Sequence, residues 1–338
     1  MNIQTALQSI LNNQNLSRND MRSVMRSILG DEATPSQIAG FLIALRCKGE
    51  SVDELIAATE VMRELVTPVP ITGKHIIDTC GTGGDGANTF NISTTCAFVV
   101  AAAGGTVAKH GNHSVSSSSG SADVLEAAGV DLNLSAEQVV QCINQIGVGF
   151  LFAQKHHGAM KHVAAPRKEM GVRTLFNLLG PLANPAGAKN QLIGVFDQHW
   201  LMPMAETLTA LGSDHVLMVN ADDGLDELSI ACDSSVVELK HGQLTSYRIS
   251  PEQFGLQRTI LDSLAVSNAQ DSLQILCSVL DNQAGAALDI VVLNAGAAIY
   301  AADLVDNFEA GIQKAQEVIA SGAAKEKFQA LIAFQAHS

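Results

Sequence analysis

GTGGDGANTFNIST, residues 81–94, follows directly on the apolar run HIIDTC at 75–80. Glycines at 81, 83, 84 and 86 give the backbone access to positive φ and remove the Cβ atoms that would hold a ligand away from the main chain. The run before them reads as a strand, and the stretch from about 92 to 103 reads as a helix. The glycine cluster is therefore a strand-to-helix turn. Amides bared at such a turn, with Asn91, Ser93 and Thr94 at the helix start, make an anion site that the helix dipole favours. The stretch is neither a Walker loop, since no GK[ST] follows, nor a GxGxxG dinucleotide fingerprint. A tight structural turn would explain the glycines alone, so their surroundings decide.

Outward from this loop, short apolar runs alternate with helical ones. TVAKH (106–110), VGFLFA (148–153), LIGVF (192–196) and HVLMVN (215–220) are strand candidates, and a helix is expected to begin near Ser121. This alternation predicts an α/β fold with a mainly parallel sheet covered by helices, its ligand at the carboxyl ends of the strands. Residues 1–67 read as helices only. Ser17 and Ser51 stand at N-cap positions with Asp20 and Glu54 three residues on, and Thr34-Pro35 puts a proline at the first helical position. Ala39, Leu42, Ile43 and Leu45 form an apolar stripe that Gly49 stops. TPVPITG (67–73) breaks the helical pattern, whereas 164–187 is helical again and then proline-punctuated, and the chain is helical from 271 onward. The expected organisation is a small helical domain, 1–70, joined by about 164–187, and a large α/β domain, 71–163 and 188–338, carrying the site.

Charge and composition narrow the function. With 34 acids against 20 bases the net charge is −14, which disfavours a protein that wraps nucleic acid or binds an anionic membrane. Aromatics make up only 4%, with Trp200 the single tryptophan, so platforms for stacking bases are scarce. The six cysteines (47, 80, 96, 142, 232, 277) show no zinc spacing and read as reduced, mostly buried thiols. The start of the chain lacks a basic segment followed by an apolar core and a cleavage site, and the longest apolar stretches are too short or too polar to span a bilayer. A cytoplasmic location is the expectation.

Three further stretches carry chemistry. In KHGNHSVSSSSGSADVLEAAG (109–129), Lys109 leaves a strand, Asn112 follows, and six serines precede Asp123 and a helix. Hydroxyls and amides at a helix start suit phosphate, so two such loops side by side suggest a ligand with two phosphate groups. In DDGLDEL (222–228), Asp226 and Glu227 stand at a strand end, where magnesium could be held between protein and substrate phosphates. Arg167, in PRKEMG, has the planar fork that grips a carboxylate. His156, His157 and His162 lack the spacing of a metal pair and read as surface or pocket-lining.

GTGGDGANTFNIST, KHGN…SSSSGSADVLEAAG, MGVRTLFNLLGPLANPA and DGLDEL occur in the order and spacing of the anthranilate phosphoribosyltransferase family, which the chain resembles over nearly its whole length. The resemblance implies a homodimer with a nucleoside phosphorylase/phosphoribosyltransferase-like fold, the site lying between a small helical and a large α/β domain. The implied reaction joins anthranilate to 5-phosphoribosyl pyrophosphate (PRPP) in tryptophan biosynthesis and needs magnesium, two ions per site. Carried over by motif, the PRPP residues are Gly81, Gly84, Asp85, Thr89, Asn91, Ile92, Ser93, Thr94, Lys109, His110, Gly111, Asn112, His113, Ser114, Val115, Ser116, Ser117 and Ser121. Gly81, His110, Asn112 and Arg167 resemble the anthranilate set, and Ser93, Asp226 and Glu227 the magnesium ligands. No acid or base is implied; Arg167, Asn112 and His110 position the reactants. The chain departs from the common KHGNRAVSSKSGSAD at His113, Ser114 and Ser118, leaving two fewer fixed cations beside the donor. A pyrimidine-nucleoside phosphorylase shares the architecture, but KHGN, RTLFNLLGPLANP and the acidic pair favour the aryl-amine reaction. A non-catalytic nucleic-acid binder is disfavoured by the charge and the intact acidic pair.

Overall fold

Four helices open the chain: α1 (Ile3–Leu11), α2 (Arg18–Leu29), α3 (Pro35–Lys48) and α4 (Val52–Leu65). The computed structural model describes residues 1–114 and 117–335. Each helix starts where a polar side chain takes up a free amide: Asn2, Ser17, Thr34 and Ser51 accept from the residue three positions on. The inward face of α3 is Ile38, Phe41, Leu42 and Leu45. Ile43 is 37% exposed and Ala39 only partly covered, unlike the stripe expected for them. The i, i+3, i+4 set that starts at residue 38 fills the core, and residues 39 and 43 turn onto the neighbouring face. There they line an apolar groove with Leu7, Leu11 and Met170.

Seven strands form one sheet in the order β3-β2-β1-β4-β5-β6-β7. These are β1 (Ile76–Gly81), β2 (Thr106–Gly111), β3 (Val148–Phe152), β4 (Asn190–Gly194), β5 (His215–Ala221), β6 (Ser234–Lys240) and β7 (Gln243–Ile249). β1 to β5 pair in parallel, and β6 and β7 add an antiparallel hairpin. Period-2 alternation splits each strand between two cores. Ile77, Leu192 and Leu217 face α5 (Ile92–Ala102) and α13 (Ala286–Ala301), while Ile193, Val216 and Met218 face the helical layer.

The sequence-predicted strands and the helix at 92 stand where expected. The β6–β7 hairpin escaped the sequence reading, although its turn is His241-Gly242, with φ of 51° and 75° suited to a tight two-residue connection. Helices α6 (Ser121–Ala127), α7 (Ala136–Ile146) and α8 (Ala153–His156) lead to α9 (Lys161–Met170) and α10 (Phe176–Leu182). These last two return to the first four: Val163, Leu175, Phe176, Leu179 and Leu182 share one core with Val24, Phe41 and Leu55. Two backbone bonds tie the crossings between layers, Thr67 N–H to the His156 carbonyl (2.8 Å) and Val69 N–H to the Pro185 carbonyl (2.9 Å). The remaining helices are α11 (Leu201–Ala210), α12 (Ala269–Leu280), α14 (Phe308–Ala320) and α15 (Ala323–Ile332). None of the described helices is long and apolar enough to cross a membrane.

Candidate active site

Strand β1 has β2 on one side and β4 on the other, both parallel, so the strand order reverses there and a crevice opens beyond its carboxyl end. Gly81 ends β1 and Gly194 ends β4, and both are glycines because the chain at 226 crosses them. A Cβ at 194 would stand 1.4 Å from the Asp226 carbonyl oxygen, and one at 81 would stand 2.7 Å from Asp226 Oδ2. Beyond Gly81 the loop turns through positive φ at Gly83, Gly84 and Gly86. The Gly83 amide donates to Asp226 Oδ2 at 2.8 Å.

Asp85, Asp226 and Glu227 converge on this loop, with Ser93, in the first turn of α5, beside Glu227. Lys109, at the end of β2 and 2% exposed, spends its ammonium on the Thr79 carbonyl and on Ser93 Oγ. Burial, then the charges of Asp85 and Glu227, push Asp226 well above the usual carboxylate range. Glu227 is pushed up to about 8 by burial, with Lys109 opposing. Three carboxylates around one committed ammonium are short of positive charge, and oxygen donors of this kind fit a hard divalent cation such as magnesium. The buried Thr94 hydroxyl has no partner among the described residues, so the start of α5 retains an unused polar group.

The serine loop faces the same helix start. Asn91 accepts from the hydroxyls of Ser119 (2.9 Å) and Ser272 (2.7 Å) and donates to the Ser119 carbonyl, joining the two loops. Asp123 accepts from the amides of Ser114 and Gly120 and meets His113 Nδ1 at 2.6 Å. Burial alone would raise Asp123, but these amides and His113 bring it below its ordinary value. The His113 ring is thus engaged with Asp123. Gly111 and Gly120 are close-contact glycines, a Cβ meeting Ser121 Oγ at 2.1 Å and the Ser114 nitrogen at 2.3 Å. Ser114 and Ser117 share hydroxyl contacts at 2.8 Å, Thr89 bridges Ala265, and Ile92 is a buried anchor of α5. Val115 and Ser116 lie outside the described residues.

On the β2–β3 side, His110 Nε2 and His157 Nε2 stand 3.2 Å apart, and Asn112 meets Gln154 at 3.4 Å. Burial and the neighbouring ring hold His110 down at about 3, and burial with His156 holds His157 at about 4, so both are neutral imidazoles at neutral pH. His156 and His157 are 2% and 7% exposed, which corrects the surface reading. His156 packs under the crossing at Thr67, where the short α8 turns the chain back. Arg167, on α9, lies over the Phe176 ring at 5.5 Å, its guanidinium sunk deeply enough that burial lowers its pKa. Sequence reasoning gave His157 no role and passed over Arg173. Arg173, just past the helix-stopping Gly171, puts its guanidinium against Gly84. Of the six thiols, all free, Cys80, Cys96 and Cys142 are buried and Cys47 is exposed, fewer buried than expected. Burial and Asp78 raise Cys80 far above thiolate range, which leaves it inert.

Two family models match the chain: the glycosyl transferase family helical bundle domain over residues 4–66 and the glycosyl transferase family a/b domain over 73–325. An anthranilate phosphoribosyltransferase of Methylococcus capsulatus is 59% identical over 333 residues, 98% of each chain. Among solved structures, anthranilate phosphoribosyltransferase from Thermus thermophilus superposes with a TM-score of 0.92 at 42% identity, covering 97% of this chain and 98% of that one. The Saccharomyces cerevisiae enzyme in complex with PRPP and Mg gives a TM-score of 0.89 at 27% identity, covering 98% and 96%.

Proposed function

The chain belongs to the anthranilate phosphoribosyltransferase family, and from that premise we propose that it transfers the phosphoribosyl group of PRPP to the amine of anthranilate in tryptophan biosynthesis. The products are N-(5-phosphoribosyl)anthranilate and pyrophosphate. The observation that carries this reading is the set Asp85, Asp226 and Glu227, partly buried with too little positive charge, against a glycine loop at the point where the strand order reverses. The donor is assigned to Gly81, Gly84, Asp85, Thr89, the run Asn91–Thr94, the loop from Lys109 to Ser117, and Ser121. Magnesium, two ions per site held by Ser93, Asp226 and Glu227, supplies charge neutralisation for the leaving pyrophosphate.

The chain's own residues orient the reactants. An aryl amine is neutral at pH 7, so no ammonium needs deprotonation before its nitrogen attacks the ribose carbon. As that bond forms the carbon–pyrophosphate bond breaks, and one N–H proton is released. Gly81, His110, Asn112 and Arg167 are assigned to the acceptor, with Arg167 gripping the carboxylate. The neutral state of His110 suits a neutral amine, since an imidazolium would repel the positive charge that develops on the ring and the nitrogen. A homodimer and a cytoplasmic location belong to the same reading. A second copy would cover the groove between α1 and α3, where Leu11 is 70% exposed. The test is loss of anthranilate fluorescence when PRPP and magnesium are added together, expected only with both present. Release of a free base from a pyrimidine nucleoside and phosphate, without anthranilate consumption, would overturn it.

A further inference from the structure

We propose that Arg173 is a further binding residue for the donor, a cation presented from the helical layer to the diphosphate at the glycine loop. The proposal rests on the assignment of that loop to PRPP. After α9 ends at Gly171, with φ of 61°, a short irregular link leads to α10, and Arg173 lies in it. Its backbone is pinned from behind, since Arg46 of α3 donates to the Arg173 carbonyl. Its guanidinium lies over the Phe196 ring, 4.3 Å from the centroid, which fixes the plane.

A face of that plane meets the glycine loop. A Cβ at position 84 would stand 3.0 Å from Nη2, 3.1 Å from Nε and 3.2 Å from Cζ. These near-equal distances put that position above the guanidinium plane on its Nε–Nη2 side, so Gly84 packs on the face and leaves open the edge that forms paired hydrogen bonds with an oxyanion; only a glycine with φ of 82° admits the group there. Among the described residues Arg173 has no carboxylate within 4.0 Å and donates to no protein acceptor. Arg22, Arg26, Arg248 and Arg258 are all paired with acids. Lys109 is committed to Thr79 and Ser93. Arg173 is thus a half-buried cation with a fixed plane and an unspent edge beside the glycine loop.

Kinetics of the full chain with Arg173→Ala and Arg173→Lys test this. The KM for PRPP is expected to rise roughly ten- to a hundredfold in the alanine variant, the range of a charge-assisted hydrogen bond, with the KM for anthranilate little changed. The lysine variant keeps the charge but not the flat fork, and is expected to recover only part of the loss. Inorganic pyrophosphate with magnesium, titrated by calorimetry, is expected to bind more weakly in step with the PRPP effect. An unchanged KM for PRPP, or a change confined to anthranilate, overturns the assignment. If circular dichroism shows that the alanine variant does not fold, the lysine variant decides by the same criterion. A wild-type chain without turnover would sink the functional reading instead, and the pyrophosphate titration would still read Arg173 by itself.

Discussion

Two polar clusters lie at opposite ends of β5. At its start His215, 1% exposed, meets Asp303 Oδ1 at 2.7 Å and Glu238 Oε1 at 3.1 Å. Tyr247 and Tyr300 donate to Glu238 at 3.0 and 2.7 Å. The Lys240 ammonium sits 4.2 Å from the centre of the Tyr300 ring. Burial by itself would raise Glu238, but His215 and the two tyrosines bring it below its ordinary value. Beyond the other end of β5, Asp226 and Glu227 are pushed the opposite way by burial and by like charges. One cluster is complete, and the other lacks the cations it needs. Partly buried charge with its partners present holds β6 and β7 to α13; partly buried charge without them is held for a ligand that brings its own.

The largest expected effect breaks the second cluster. Asp226→Ala combined with Glu227→Ala should lower turnover by roughly a thousandfold or more, the scale seen when charge stabilisation of a leaving group is removed. Metal-free stability should not fall, because like charges are removed rather than paired ones. Near-normal activity under limiting magnesium, with urea melts showing a large loss of stability, would invert the contrast. Next in size, Glu238→Ala should cost about 3–5 kcal/mol in urea melts, since it strands His215 and two tyrosine hydroxyls. Turnover per folded molecule should stay close to wild type, and a selective loss of activity would mean that the two ends are coupled.

The smallest effect is on pH. His110 and His157 hold folded pKa values of about 3 and about 4 against an ordinary 6.5. Between those limits the unfolded chain binds protons that the folded chain does not. Stability from the neutral pair is therefore fully present above about pH 6.5 and is lost as pH falls through about 4 to about 3. His157→Phe should flatten the acid side of a melting-temperature profile. An unchanged slope would place the acid sensitivity elsewhere.

Much of this was legible in local sequence. The caps at Ser17, Thr34 and Ser51, the glycine turn after HIIDTC and the acidic pair at 226–227 each announce themselves within a few residues. What escaped depends on distant pairing. β7 is an edge strand with most of its residues exposed, so QLTSYRI carries no clean alternation. His157 looks like part of a polar run until β3 returns it beneath His110, 47 positions away in sequence. Arg173 sits in a link of no regular pattern, and its meaning comes from Gly84, Phe196 and Arg46, all far from it in the chain.

The return of α9 and α10 to the first four helices has a consequence during synthesis. Those four helices end at Leu65, yet their core is closed only by Val163, Leu175, Phe176, Leu179 and Leu182 and then by Leu201, Met204 and Leu208 of α11. At roughly 5–20 residues per second, the ribosome needs on the order of ten seconds to deliver the missing residues. Throughout that interval the nascent bundle shows the apolar faces of Val24, Phe41 and Leu55 without their eventual cover. Chaperone occupancy should therefore peak before the chain passes α11 and fall after it. A gene fragment ending near residue 66 would freeze that moment and yield an aggregation-prone piece in place of a free-standing module.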